Sequence, residues 1–213
     1  MLKLPTAKEL AAATESFEQD WGGVDRVLYR LCREAPGHGN RPQVTAKLAL
    51  IGRAYSAGLE RCVTPPRGSQ AITILADYVC AHGVQFDAVM RPLETLAEPL
   101  TAEALATVVT VHGGLLELLR GVTTAGKTPR SFAAKYLHFH NPLVPIYDEY
   151  ARIGLVRLVR WDSAQLPFER PGIADPDYYE FCVRFWRLYA ACRQAGLEVN
   201  VKTLDHYLWS VPT

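Results

Sequence analysis

Apolar residues recur along this chain at helical rather than strand spacing. Val24, Val27, Leu28 and Leu31 stand at i, i+3, i+4 and i+7, one face of a helix. Leu48, Ile51, Tyr55, Leu59 and Cys62 share a face within 44–63, which predicts one long helix there. Leu105, Val108, Val109, His112, Leu115, Leu116 and Leu119 predict another over 101–120, opened by Thr101. Thr6 and Glu9 have the spacing of a capping box, in which each side chain satisfies a backbone N–H near the other, ahead of a helix carrying Leu10 and Phe17. Further helices are predicted over 71–81, over 86–96 with a break or kink at Pro92, from Thr128 to about His140, and from Asp148 through Ile153, Val156 and Val159. Asp175–Pro176 opens an aromatic-rich helix to about Gln194, and a short helix over 203–209 closes the series. Polar or Pro/Gly-rich stretches at 34–43, 64–70 and 166–176 separate them. Strand-like alternation is confined to 197–201. No solenoid repeat and no linker interrupts the series. The pattern predicts an all-α globule, one domain over 1–213, built as one body or as two helical lobes.

Composition narrows the class without naming a chemistry. Of 213 residues, 49% are hydrophobic and 21% charged, which excludes a disordered or collagen-like chain. The formal net charge of +1 excludes a uniformly basic coat. MLKLPTAKEL lacks the apolar core of a signal peptide. The longest apolar region, 104–119, is broken by Thr107, Thr110, His112 and Glu117, so no membrane span is expected and the protein is read as cytoplasmic. The five cysteines, Cys32, Cys62, Cys80, Cys182 and Cys192, are odd in number and never spaced as CxxC. Free thiols in a reducing compartment are expected, with no metal and no cofactor. Gly113–Gly114 inside a helix points to a close crossing, and the aromatics of 178–189 lie at core spacing.

Charge is unevenly placed. Between Leu118 and Tyr147 there is no acidic residue, while Arg120, Lys127, Arg130, Lys135, His138 and His140 fall in that interval. Gly121–Lys127 reads as a turn, and Thr128–Pro129 as a cap with Pro at the first helical position. A turn that presents backbone N–H groups and a helix N-terminus can bind phosphate, and basic side chains beside it add a salt-dependent contact to a nucleic-acid backbone. Arg120, Gly126, Thr128, Arg130 and Ser131 are the candidate nucleic-acid contacts. NPLVPIY, 141–147, holds two prolines, is extended, and delivers Asp148 to a helix start.

This layout resembles the helix-hairpin-helix DNA glycosylase superfamily, and within it the bacterial 8-oxoguanine DNA glycosylase-fold proteins. The string SFAAKYLHFH, 131–140, is similar to a signature of the small bacterial members, and PLVPIYD, 142–148, to the connection that delivers their catalytic aspartate. Residues 44–61 and 201–210 are similar to further segments of that group. The turn departs from the family's hairpin: it lacks G-x-G and a leading proline, and by direct spacing the nucleophilic lysine falls on Pro129. The resemblance implies DNA, double-stranded with a flipped base, as partner, and removal of a damaged or modified base with Asp148 and either Lys127 or Lys135. Lyase activity is conditional on one of those lysines reaching the pocket.

The chemistry explains why such residues would be needed. A carboxylate stabilises an oxocarbenium-like sugar, and a lysine of lowered pKa can attack C1′. The base must be flipped and held by stacking and edge hydrogen bonds, for which Tyr136, His138, His140 and Tyr147 are candidates. Asp148 at a helix N-terminus is expected to stay ionised. His138 and His140, at i and i+2, face different ways and do not form a metal pair. Two other readings remain open: a non-catalytic binder of nucleic acid or a nucleotide on the same fold, as in a bacterial defence system, and a helical interaction protein in which Asp148 is only a cap. Nothing in the sequence sets the oligomeric state.

Overall fold

The computed structural model describes residues 2–164 and 166–211, so the ends of the 1–213 domain reading lie outside the described residues. Among the described residues ten α-helices carry the fold: α1 (Ala7–Asp20), α2 (Gly22–Glu34), α3 (Arg41–Ala49), α4 (Ala71–Ala81), α5 (Gly83–Met90), α6 (Ala102–Arg120), α7 (Arg130–His140), α8 (Glu149–Leu158), α9 (Pro176–Gln194) and α10 (Val201–Ser210). No strand occurs among the described residues, and 197–200 is irregular chain leading into α10.

Local chemistry accounts for most boundaries. The Thr6–Glu9 capping box is formed, with Glu9 N donating to Thr6 Oγ1 and Thr6 N to Glu9 Oε2. Thr101 and Asp175 accept from Ala104 N and Tyr178 N and open α6 and α9. Asn200 and Thr203 form a second capping box, which starts α10 at Val201 rather than at Thr203. At α7 the expected Thr128 cap is absent: Pro129 takes the cap position without a side-chain bond, and the helix starts at Arg130.

The largest departure from the periodicity lies at 44–63. The single helix expected there is three pieces. After α3, Leu50–Ala54 is a π-helical turn, and Leu59–Cys62 is a 3-10 turn. Between them Ser56 (φ 48°) and Gly58 (φ 71°) take left-handed backbone. Leu48, Ile51 and Leu59 are nevertheless all buried. The spacing marked burial correctly but not continuity, because Gly58 can turn the chain where an L-residue would be strained.

α6 forms the centre of the core, packed by α5, α7 and α9, while α10 lies on α1 and α8. By length and composition α6 could cross a membrane; here Leu105, Val108 and Leu115 are sealed inside the apolar core. Gly113 and Gly114 permit the close approach expected of them. A Cβ on Gly113 would stand 2.3 Å from the Ile173 carbonyl oxygen, and one on Gly114 3.1 Å from Val89 of α5.

Candidate functional site

The extended connection after α7 is fixed from several sides. Tyr178 Oη donates to Pro145 O (2.9 Å), His138 Nδ1 to Val144 O (2.7 Å), and Leu143 N to Asn141 Oδ1 (2.9 Å). It delivers Asp148 to the N-cap of α8, where Oδ1 accepts from Ala151 N at 2.8 Å. The other oxygen does more than cap. Oδ2 accepts from Trp209 Nε1 of α10 at 2.8 Å and lies 3.9 Å from Lys135 Nζ of α7. Lys135 in turn donates to the Tyr55 carbonyl at 3.1 Å, with its ammonium 5.9 Å from the Tyr55 ring centre. Lys135 is 4% and Asp148 8% exposed, so this pair is closed off from solvent.

More charge surrounds it. Asp205 and Trp209 are one turn apart on α10 and share a face. Asp205 is buried, and its carboxyl interacts with Lys202, Asp148, Lys135 and Asp25. Lys202 and Asp25 form an ion pair at 2.8 Å. Desolvation drives the pKa shifts. Burial pushes the Lys135 ammonium below its ordinary value, against the pull of Asp148 and Asp205. Burial raises Asp148, against the pull of Lys135 and of the backbone N–H groups at the start of α8. Asp205 is raised to about 7, again by burial first. Two lysines facing three aspartates leave one negative charge in excess, and protonation of Asp205 removes it.

The candidate base-pocket residues lie elsewhere. Tyr136 is buried and its hydroxyl meets His38 Nε2 at 2.8 Å, while His38 Nδ1 meets Asp87 Oδ1 at 2.6 Å. His140 Nδ1 donates to Tyr136 O (2.8 Å), and its Nε2 faces Lys47 Nζ at 3.4 Å. Its pKa falls to about 3 through burial and then Lys47, so the ring is neutral. His138 bonds Val144 O and the Tyr29 hydroxyl, and burial pushes it well below the usual imidazole range. Tyr147 lies under the Arg130 guanidinium (5.4 Å) and against Phe181 (5.1 Å). The rings that touch the Lys135–Asp148 pair are instead Tyr55 and Trp209, with Phe139 packed 5.3 Å from Tyr55 and 5.0 Å from Tyr29.

The basic segment also changes character in three dimensions. Arg120 pairs with Glu117 at 2.7 Å. Arg130 forms a two-bond fork with Asp175 (2.5 and 2.8 Å) and a bridge to Asp177 (2.8 Å) at the start of α9. An interval without acids in sequence has therefore acquired acids in space. Lys127 sits on the exposed turn, its N–H bonded to Thr124 O at 3.0 Å, and makes no ion pair among the described residues. With Arg120 and Thr128 it lines a small cleft of about 100 Å³ against Asp175. Gly126 (φ 78°) makes that turn possible, and Ser131 is half-buried in the first turn of α7.

Asp205, Trp209, Tyr55, Lys202 and Asp25 were not among the sequence candidates. One signal was present: Asp205 and His206 sit between Leu204 and the apolar Tyr207–Leu208–Trp209, at positions that a buried helix would keep apolar. No group of three or more His, Cys, Asp or Glu that could hold a metal ion occurs among the described residues. Comparison of the chain with family models, curated proteins and solved structures gives no match.

Proposed function

We propose that the chain is a DNA glycosylase-like enzyme in which Lys135 is the nucleophile and Asp148 the electrostatic partner. The observation that carries this reading is the approach of the Lys135 ammonium to the Asp148 carboxylate, 3.9 Å apart in a desolvated site beside Tyr55 and Trp209. Desolvation lowers the lysine, which is what an amine nucleophile needs. In the reaction, the neutral Nζ forms a bond to C1′ of a flipped nucleotide as the bond from C1′ to the base breaks. The electron pair of that bond leaves with the base, which takes up a proton. The covalent sugar adduct then opens to a Schiff base. Asp148 stabilises the positive charge that develops on the sugar. Lys127, on the exposed turn, serves as a phosphate contact. Entry of substrate requires the Tyr55 carbonyl to leave Lys135, which makes the irregular 50–58 segment the part that moves.

Borohydride trapping on duplexes carrying modified bases tests this. A covalent adduct is expected with the unaltered chain and with Lys127→Ala, and none with Lys135→Ala. Abasic-site formation is expected to be lost in Asp148→Asn. An adduct that survives Lys135→Ala refutes the assignment of the nucleophile.

A second reading has its own support. The Lys135–Asp148 pair is closed off from solvent, which suits a non-catalytic nucleotide or nucleic-acid binder. That reading expects salt-dependent DNA retention without abasic sites.

A further inference from the structure

An open cleft lies away from the Lys135–Asp148 pair. It holds about 1200 Å³ between the end of α8, the turn that follows it, and α9. Its charged walls are Arg157, Arg160, Arg184 and Arg187 against a single acid, Asp162. With Arg184 paired to Glu180 beside the cleft, two positive charges in excess gather there in a chain whose total is +1, leaving the rest of the molecule net negative. Every basic group here is arginine, whose planar fork matches phosphate oxygens.

The arginines divide into two roles. Arg184 and Arg187 of α9 build the wall. Arg184 bonds Glu180 (2.6 Å) and the Val159 carbonyl, and its guanidinium lies 5.7 Å from the Trp161 ring centre. Arg187 donates to Arg160 O (2.9 Å) and Asp162 Oδ2 (3.3 Å). These bonds hold the 159–162 turn against α9. Arg157 and Arg160 are exposed and make no ion pair among the described residues, so their charge is available to a ligand. Two half-buried indoles, Trp161 and Trp186, line the same cleft.

Guanidiniums interleaved with aromatic rings in an open groove are the means by which unpaired nucleic-acid strands are held: cations follow the backbone and rings stack on bases. A duplex hides its bases and cannot use the indoles. An acidic peptide would satisfy the arginines but leave the rings without partners. We infer that this cleft binds a single-stranded nucleic acid, with Arg157 and Arg160 on phosphates and Trp161 and Trp186 against bases. The inference is independent of the Lys135–Asp148 reading, because none of these residues belongs to that pair.

The test is fluorescence anisotropy of a labelled oligothymidylate of about ten nucleotides with the full chain, titrated at several salt concentrations. Binding is expected to weaken linearly with log salt. Arg157→Ala/Arg160→Ala removes two phosphate contacts and is expected to make that slope shallower by about 1.4. Its loss of affinity is then expected to be about 7-fold greater at 50 mM than at 200 mM salt. Trp161→Ala is expected to weaken binding at least about 5-fold. Because Trp161 also lies on Arg184, circular dichroism checks that this variant folds. Arg33→Ala, at an exposed arginine of α2 outside the cleft, is expected to bind the strand as the unaltered chain does. No binding at low salt, binding unchanged in Arg157→Ala/Arg160→Ala, or equal binding of polyglutamate overturns the inference.

Discussion

Asp205→Asn isolates the electrostatics of the buried site. Asparagine keeps the shape of the side chain and removes its ionisation. In the native protein the Asp205 carboxyl is held at about 7, against an ordinary value of 3.8, because burial outweighs the attraction of Lys202 and Lys135 while Asp148 and Asp25 add repulsion. Between those two values the native state binds a proton that the unfolded chain has released. Stability contributed by the protonated group is therefore lost as pH rises from about 4 to about 7. At 1.36 kcal/mol per pKa unit, ionising Asp205 costs the fold about 2 kcal/mol at pH 5 and about 4 kcal/mol at pH 8. The buried histidines titrate in the opposite sense, but they are present in both proteins and cancel in the comparison. Urea unfolding of the two proteins at pH 5 and at pH 8 measures the difference. The asparagine variant is expected to gain about 2 to 3 kcal/mol relative to the native chain over that interval. A gap that stays constant with pH, or closes as pH rises, refutes the placement of an ionisable Asp205 among Lys202, Asp148, Lys135 and Asp25.

Three further substitutions test packing and polar satisfaction around the site. Lys47 is fully buried and donates to the carbonyls of Ala35, Pro36 and Gly37 at 2.9, 3.3 and 3.1 Å, so Lys47→Met is expected to cost about 3 kcal/mol in chemical denaturation and to speed amide exchange around Gly37. A loss below about 0.5 kcal/mol would show that those carbonyls do not depend on the ammonium. Gly113→Ala places a methyl 2.3 Å from the Ile173 carbonyl oxygen and is expected to lower stability by about 1–3 kcal/mol, read as a drop in Tm by calorimetry. An unchanged Tm would contradict that contact. The Tyr55 hydroxyl is buried without a hydrogen-bond partner, so Tyr55→Phe is expected to be neutral within about 0.5 kcal/mol or stabilising; a loss of 1 kcal/mol or more would mean that the hydroxyl is bonded.

Local signals carried much of the fold. Thr6 with Glu9, Thr101 and Asp175 with Pro176 are cap chemistry between residues a few positions apart, and each forms as its spacing implies. The apolar faces of α6 and α9 follow from the same short-range periodicity, whereas of the α2 face Leu28 is buried and Val27 is exposed. The 44–63 segment shows where that reasoning stops. Leu48, Ile51 and Leu59 are buried as the pattern indicates, yet the helix breaks into π and 3-10 turns around the left-handed Ser56 and Gly58. Periodicity reports which side chains face the core, and several backbone paths can bring them there.

The site divides in the same way. Asp148 could be placed from sequence because Pro142, Pro145 and the cap position act locally on the chain that carries it. Lys135 could be proposed but not chosen over Lys127, since the choice depends on which ammonium reaches Asp148. Tyr55, Asp205 and Trp209 lie 93, 57 and 61 positions from Asp148 in the chain, and no local pattern links them to it. The acid-free stretch around Arg130 shows the same limit, because Asp175 and Asp177 meet it from the start of α9. What the sequence alone determined is the helical class, most of the caps and the extended delivery of Asp148, all governed by neighbours in the chain. Only the tertiary structure decided which charges meet, because Coulomb and desolvation energies depend on distance and burial in space rather than on separation along the chain.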